Sequence, residues 1–446
     1  MLTDVSRLKE LAPALEQIAS LLRPAELDSR QDFAEGSVYT PYLTAFLMIL
    51  QRLRGNASLE EAVAELQENP AWASHPRVTT GKLSSNSGAY SRARKRLKVQ
   101  VAEDFADRVL ETLQSTAPPS WHDRRVFMLD GTTLALSSRD GLRQVFPPAT
   151  NQHGRSVWPI MHCVVAHDLA SGCALRPEAG TMYGSKSDGE VALALRLLPR
   201  IPPHSVLLAD RNFGVFGFVH AAYEAGHDTV TRLTKLRFQS LVRKARRLDA
   251  SRWELDWKPT ADNRRTHPDL PPDAQVKVTL HAVPGRTADG KEFTLWIATT
   301  LQVSTAQIGE FYQLRQHVET DIRDVKVALK MSELRGQSAE MLAKELALGI
   351  VAYNLVVQVR RLAAAQGNIH PRRISFTGTW TLVRSLILRP RTETLEQYVA
   401  QFELVLRGCL QRKLPNRPNR QFPRQQHLRR RKFPDRPRTL KPQPPR

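Results

Sequence analysis

The feature that most restricts how this chain folds is a change of hydrophobic period at Val126. Residues 126–136 alternate and are rich in strand formers, and residues 157–167 and 173–179 read as two further strands. Residues 189–198 then carry a helical pattern, 205–209 a short, fully apolar strand, 215–225 a second helix and 229–233 another strand. The order is β-β-β-α-β-α-β. Three meandering strands followed by alternating strands and helices require a mixed sheet covered by helices, since a helical crossover returns the chain to a parallel neighbour and covers one face. The predicted fold class is α/β.

Other periods hold on either side. Residues 1–120 read as mostly helical. Runs at 44–55 and 59–67 are separated by Gly55-Asn56-Ala57-Ser58, where Ser58 is an N-cap candidate with Glu61 three residues on. A third run, 90–113, follows the turn-rich stretch 84–88, and Pro118-Pro119 closes the region. Downstream, residues 235–297 are basic and then rich in Pro and Asp, with strand-like pieces at 253–257, 276–282 and 293–299 that read as an inserted β-rich subdomain. Helix returns at 305 and runs to about 365 with an interruption near Gly336, and residues 366–410 form a further helical segment. The final stretch, 411–446, contains eight prolines and no periodic apolar pattern, so it is expected to be a disordered tail. The resulting organisation is 1–120, 121–234, 235–297, 298–365, 366–410 and 411–446.

Charge narrows the partners. The net charge is +21, and it is concentrated. Residues 411–446 hold 13 basic and one acidic side chain, residues 82–98 six basic and none acidic, and residues 232–247 seven basic and none acidic. Together these windows carry +25, so the rest of the chain is near −4. A near-neutral body with three basic patches is the footprint of a polyanion binder. A run containing Arg92, Arg94, Lys95 and Arg96 on the third helix of the N-terminal region could present a DNA-reading surface, although an exposed basic face on a packing domain is equally consistent. No apolar run approaches the roughly 18 residues of a membrane span, and the N-terminus has no signal-peptide blocks. Three cysteines, Cys163, Cys173 and Cys409, make no disulfide framework or zinc motif. A soluble, cytoplasmic protein with no membrane partner is expected.

Three acids stand out by position. Asp130 lies inside the first apolar strand, in Leu129-Asp130-Gly131-Thr132, and Asp210 ends the strand Val206-Leu207-Leu208-Ala209. A carboxylate in or ending a buried strand is costly unless paired or bound to metal, and strand ends are where open α/β sheets place their sites. A capping or turn role competes for either residue alone. The third acid is Glu319. At about 100° per residue, Arg315, Glu319, Arg323 and Lys326 fall within roughly 60° of Tyr312, forming one polar stripe. Phe311, Leu314, Val318, Ile322, Val325 and Leu329 form an apolar stripe beside it, while Asp321 and Asp324 point elsewhere. An amphipathic helix with flanking salt bridges would give a similar pattern.

The spacing Tyr312-x2-Arg315-x3-Glu319-x6-Lys326 matches the Tyr-Arg-Glu-Lys signature of the bacterial insertion-sequence transposases of family four, which the chain resembles over roughly residues 80–360. Asp130 and Asp210, in Asp210-Arg211-Asn212-Phe213, are similar to that family's first and second catalytic aspartates. One departure is Gln316, where members often carry Trp. The resemblance implies an RNase H-like core bearing the Asp-Asp-Glu triad on its first strand, fourth strand and a later helix, with a β-rich insertion before the Glu. It implies a DNA transposase that binds the inverted-repeat ends of its element, cleaves them hydrolytically and joins the 3′-OH ends to target DNA. Two Mg²⁺ ions, with Mn²⁺ as a substitute, are expected on Asp130, Asp210 and Glu319, Asp130 bridging both; hard cations prefer such carboxylates and stabilise both attacking and leaving oxygens. Tyr312, Arg315 and Lys326, with Arg323 beside them, are expected on the phosphates of the transposon end. The partner is double-stranded DNA, in a synaptic complex with a homodimer. The metal assignment requires the three carboxyl groups to converge on one metal-sized gap. A catalytically inactive DNA-binding derivative and a metal-dependent nuclease are the alternatives.

Some residues carry a weaker signal. Trp296 is a candidate platform for a flipped base, ahead of Trp253 and Trp257, in competition with a core role. His162 and His167 are expected to be structural, and Gly184-Ser185-Lys186-Ser187 lacks the spacing of a phosphate loop.

Overall fold

The computed structural model describes residues 24–68, 83–115, 117, 119–151, 154–286, 290–328, 330–387 and 394–415. Among the described residues, five helices lie upstream of the sheet: α1 (Pro24–Asp28), α2 (Pro41–Leu53), α3 (Leu59–Glu68), α4 (Gly88–Arg96) and α5 (Val99–Ser115). Their starts follow local chemistry. Thr40 caps α2 by accepting from the Leu43 N–H, with Pro41 at the first helical position, where its missing N–H costs nothing. Ser58 and Glu61 form the reciprocal cap expected from their spacing. The expected single helix over 90–113 is broken at Leu97, whose ψ of 120° leaves the helical region. The side chain of Gln31 satisfies both backbone groups at the break, donating to the Arg96 carbonyl and accepting from the Lys98 N–H. A distant residue thus stabilises a corner that local periodicity does not predict.

Beyond Val126 the chain builds one mixed sheet. Its strands are β1 (Val126–Ala135), β2 (Pro148–Asn151), β3 (Gly154–Asp168), β4 (Glu178–Thr181), β5 (Val206–Ala209), β6 (Asp228–Arg232), β7 (Arg246–Arg247), β8 (Arg252–Trp257), β9 (Val276–Arg286) and β10 (Glu292–Thr299). The order is β2-β3-β1-β5-β6-β10-β9-β8-β7, with β4 also on β3. β3 is antiparallel to β1, whereas β5 and β6 run parallel to it and to each other. That is an RNase H-like arrangement. Helices α6 (Asp140–Val145), α7 (Glu190–Leu197) and α8 (Phe216–Glu224) lie along this part of the chain. The β-rich stretch 235–297 is present, with α9 (Lys235–Val242) and α10 (Ala261–Thr266), and its strands extend the central sheet because β10 pairs with β6. The strand expected over 173–179 forms later, at β4. The Ala174 backbone N–H and carbonyl are instead bonded by the side chain of Asn354.

The remaining helices are α11 (Thr305–Gln313), α12 (Gln316–Arg323), α13 (Ala339–Gln366), α14 (Phe376–Ile387) and α15 (Leu395–Gln411), with a π turn at Asp324–Ala328. Each sheet face is covered. On one, Val126, Met128, Val206 and Leu208 pack with Phe311, Tyr312 and Val318. On the other, Phe127, Leu129 and Leu207 join a core that continues through α13 to α5 and α2. By length and composition α13 could cross a membrane, contrary to expectation, but 94% of its apolar window is buried inside the protein. Cys163, Cys173 and Cys409 are free and buried. Leu329 and residues 416–446 of the expected tail lie outside the described residues.

Candidate active site

The strand pleat decides where the aspartates emerge. Side chains alternate between faces, so Asp130 follows Val126 and Met128 onto the α11–α12 face, and Asp210 follows Val206 and Leu208 there. The parallel register pairs Val126 with Val206 and Met128 with Leu208; carried two residues further, it sets Asp130 level with Asp210. Both carboxylates take backbone N–H donors, Asp130 from Gly131 at 3.0 Å and Asp210 from Asn212 at 2.8 Å. Burial, with the like charges of Asp210 and Glu190, pushes the Asp130 carboxyl up to about 6, against the opposing pull of Arg315 and the Gly131 N–H. A partly buried carboxylate crowded by like charges is a donor set of hard oxygens that a divalent cation suits.

The signature segment departs from a straight helix. Arg315, His317 and Val318 donate their N–H groups three residues back, tightening the chain between α11 and α12, and the π turn then loosens it. The one stripe expected from uniform winding therefore splits. Tyr312 is buried, its hydroxyl 3.4 Å from the Ala209 carbonyl just before Asp210. Burial pushes its phenol up to about 12, so it is a donor at neutral pH. An Arg315 Nη lies 3.1 Å from Asp130 Oδ1. Lys326 Nζ donates to Thr132 Oγ1 at 2.8 Å and to the Thr133 carbonyl at 2.9 Å. Glu319 and Arg323 face solvent.

Two expectations are corrected. Convergence of Asp130, Asp210 and Glu319 on one gap is not found: among the described residues no three His, Cys, Asp or Glu side chains are placed to hold a metal ion. Arg315 stands against Asp130, and Glu319 is exposed on α12. Second, Arg94 turns away from the basic face of α4, its guanidinium 2.7 Å from Glu345 on α13 and over the Tyr90 ring, leaving Arg92, Lys95 and Arg96 exposed. Asp321 and Asp324, which point away from the polar stripe as expected, are buried. Asp321 pairs with Arg372 at 2.8 Å, and Asp324 lies 3.8 Å from Arg360. The signal for Asp321 was its place on the helix, adjoining the apolar stripe.

The other candidates sort by burial. Trp296 is half-buried, its ring 4.4 Å from that of Phe238, on which Trp253 also packs. His162 meets the Asp188 carbonyl and His167 lies edge-on to Tyr353, both as structural residues. The 232–247 patch adjoins the site, since Arg237 donates to the Gly214 carbonyl in the loop after Asp210. Glu190 at the start of α7 was not singled out by sequence; it accepts from the Asn212 side chain at 2.8 Å.

An RNase H-like sheet with Asp130 inside β1, Asp210 level with it just past the end of β5, and a Tyr-Arg-Glu-Lys segment packed across them is the layout of a nucleic-acid phosphoryl-transfer enzyme. Residues 121–355 match the family described as "Transposase DDE domain", more than half of the chain, and the protein belongs to the DDE transposases. It is similar to "Transposase InsG for insertion sequence element IS4" of Escherichia coli (strain K12), with 23% identity over 349 residues, 75% of each chain. Membership makes it a DNA-processing enzyme of a class that uses divalent metal ions.

Proposed function

We propose that this protein binds the inverted-repeat ends of an insertion sequence, cleaves them with Mg²⁺ and joins the 3′-OH ends to target DNA. The observation that carries the reading is the contact between Arg315 of the signature and Asp130 of the first strand, beside Asp210. Asp130 and Asp210, with Glu319 drawn in from its exposed place on α12, would hold two Mg²⁺ ions, or Mn²⁺ in their place, which would supply charge stabilisation on the attacking and leaving oxygens of the phosphodiester. Tyr312 braces α11 against the end of β5. Arg315 and Lys326, already beside Asp130 and Thr132, are within one side-chain movement of a phosphate seated on those acids. Arg92, Lys95 and Arg96 on α4 are assigned to end recognition, the 232–247 patch to backbone contacts, and the working form to a DNA-bound dimer.

The exposed position of Glu319 favours one other reading, a DNA-binding derivative that does not cut. One experiment separates them. Linear DNA carrying the element's ends is incubated with Mg²⁺ and either wild type or Asp130→Ala. Cleavage by wild type alone is expected; equal activity, or none in both, overturns the catalytic reading.

A further inference from the structure

Glu190 opens α7, where an acidic residue is unremarkable in helix chemistry. Its surroundings are less ordinary. A Cβ added to Gly131 would lie 2.1 Å from Glu190 Oε1, so the carboxylate sits directly on the β1 backbone one residue after Asp130. Gly131 has no left-handed φ, and any side chain there would have to displace the Glu190 carboxylate. The other carboxylate oxygen accepts from Asn212 Nδ2 at 2.8 Å, and the Asn212 backbone N–H donates to Asp210 Oδ1 at 2.8 Å. His162 Nε2 flanks Oε1 at 3.7 Å, its other ring nitrogen meeting the Asp188 carbonyl.

We infer that Glu190 is a positioning residue of the active site, tying β1 to the loop after β5 and so setting how far apart Asp130 and Asp210 stand. The link runs from Asp130-Gly131 through the Glu190 carboxylate and the Asn212 amide to Asp210. Gly131 would project its side chain to the face opposite Asp130, so the Glu190 carboxylate braces the strand from behind and does not share the α11–α12 face with the two aspartates. Such outer partners of metal-holding carboxylates orient them and tune ion affinity. The inference rests on the proposed reading of Asp130 and Asp210 as the metal-holding pair.

The test is Mn²⁺ binding by the DNA-free, full-length protein, followed by electron paramagnetic resonance, with thermal unfolding and cleavage of end-bearing DNA alongside. Glu190→Ala and Asn212→Ala are each expected to weaken Mn²⁺ binding about 10-fold or more, and the double variant no further than either single one. Glu190→Gln keeps an oxygen that accepts from Asn212 and is expected to stay close to wild type. Wild-type Mn²⁺ affinity in Glu190→Ala, additive losses in the double variant, or a Glu190→Gln loss as large as that of Glu190→Ala would each overturn the inference. If Glu190→Ala does not fold, Asn212→Ala, on an exposed loop, decides the question alone. Asp130→Ala separates the two levels: if it too binds Mn²⁺ and cleaves normally, the site reading itself falls. If only Asp130→Ala is defective, the role of Glu190 is withdrawn and the site stands.

Discussion

Asp130 occupies a strand position where a neutral side chain would be more stable. Its carboxyl is raised to about 6 from an ordinary value of 3.8, so its contribution to stability is fully present below about pH 4 and is lost as pH rises through 6. Asp130→Asn is therefore expected to stabilise the protein at pH 7, on the order of 2 kcal/mol, while abolishing cleavage. Thermal unfolding at pH 4 and pH 7 checks the sign: the gain should shrink toward pH 4. Asp130 and Asp210 were legible in the sequence because each interrupts or ends an apolar run whose burial is certain. Glu190 was not, because what distinguishes it is its contact with Gly131 and Asn212, on other elements.

At the scale of elements, α12 is set by its buried side as much as by its signature side. Asp321 is fully buried against Arg372, which also donates to the Leu169 carbonyl, joining α12 to the end of β3 and to the turn after α13. Removing one partner of a buried pair leaves the other charge uncompensated, so Asp321→Ala is expected to cost about 3–5 kcal/mol. Urea unfolding measures that cost, and cleavage should fall as α12 loses its seat. A helical wheel finds which residues share a face only while the winding is uniform. The three-residue bonds at 315–318 and the π turn at 324–328 alter the winding on both sides of Glu319. Tyr312, Arg315 and Lys326 thus reach three different partners on two strands, Ala209, Asp130 and Thr132. The break between α4 and α5 has the same character, since Gln31, 65 residues from Arg96 in the chain, stabilises it.

For the whole molecule, the N-terminal helices and α13 share one core, with Lys344 donating to the Arg94 and Lys95 carbonyls and Arg94 bonded to Glu345. A fragment beginning at residue 120 would expose the apolar flank of α13; it is expected to bind a hydrophobic dye and to lose cooperative thermal unfolding. The basic tail is expected to behave oppositely. Deleting residues 416–446 should leave unfolding unchanged, weaken non-specific DNA binding and flatten its salt dependence, since fewer counterions are released; filter binding across a salt series tests this. The sequence by itself determined the succession of β1, β3, β4, α7, β5, α8 and β6, though not α6 and β2 between the first two, together with the strand positions of Asp130 and Asp210 and the helix bearing Glu319. Those follow from backbone periodicity, a local property. Only the tertiary structure decided that Arg94 turns inward, that Asp321 and Asp324 are buried, that the 235–297 strands extend the sheet, and that Glu190 rests on Gly131. Periodicity tells which way a side chain faces, whereas its partner depends on which distant segment packs there.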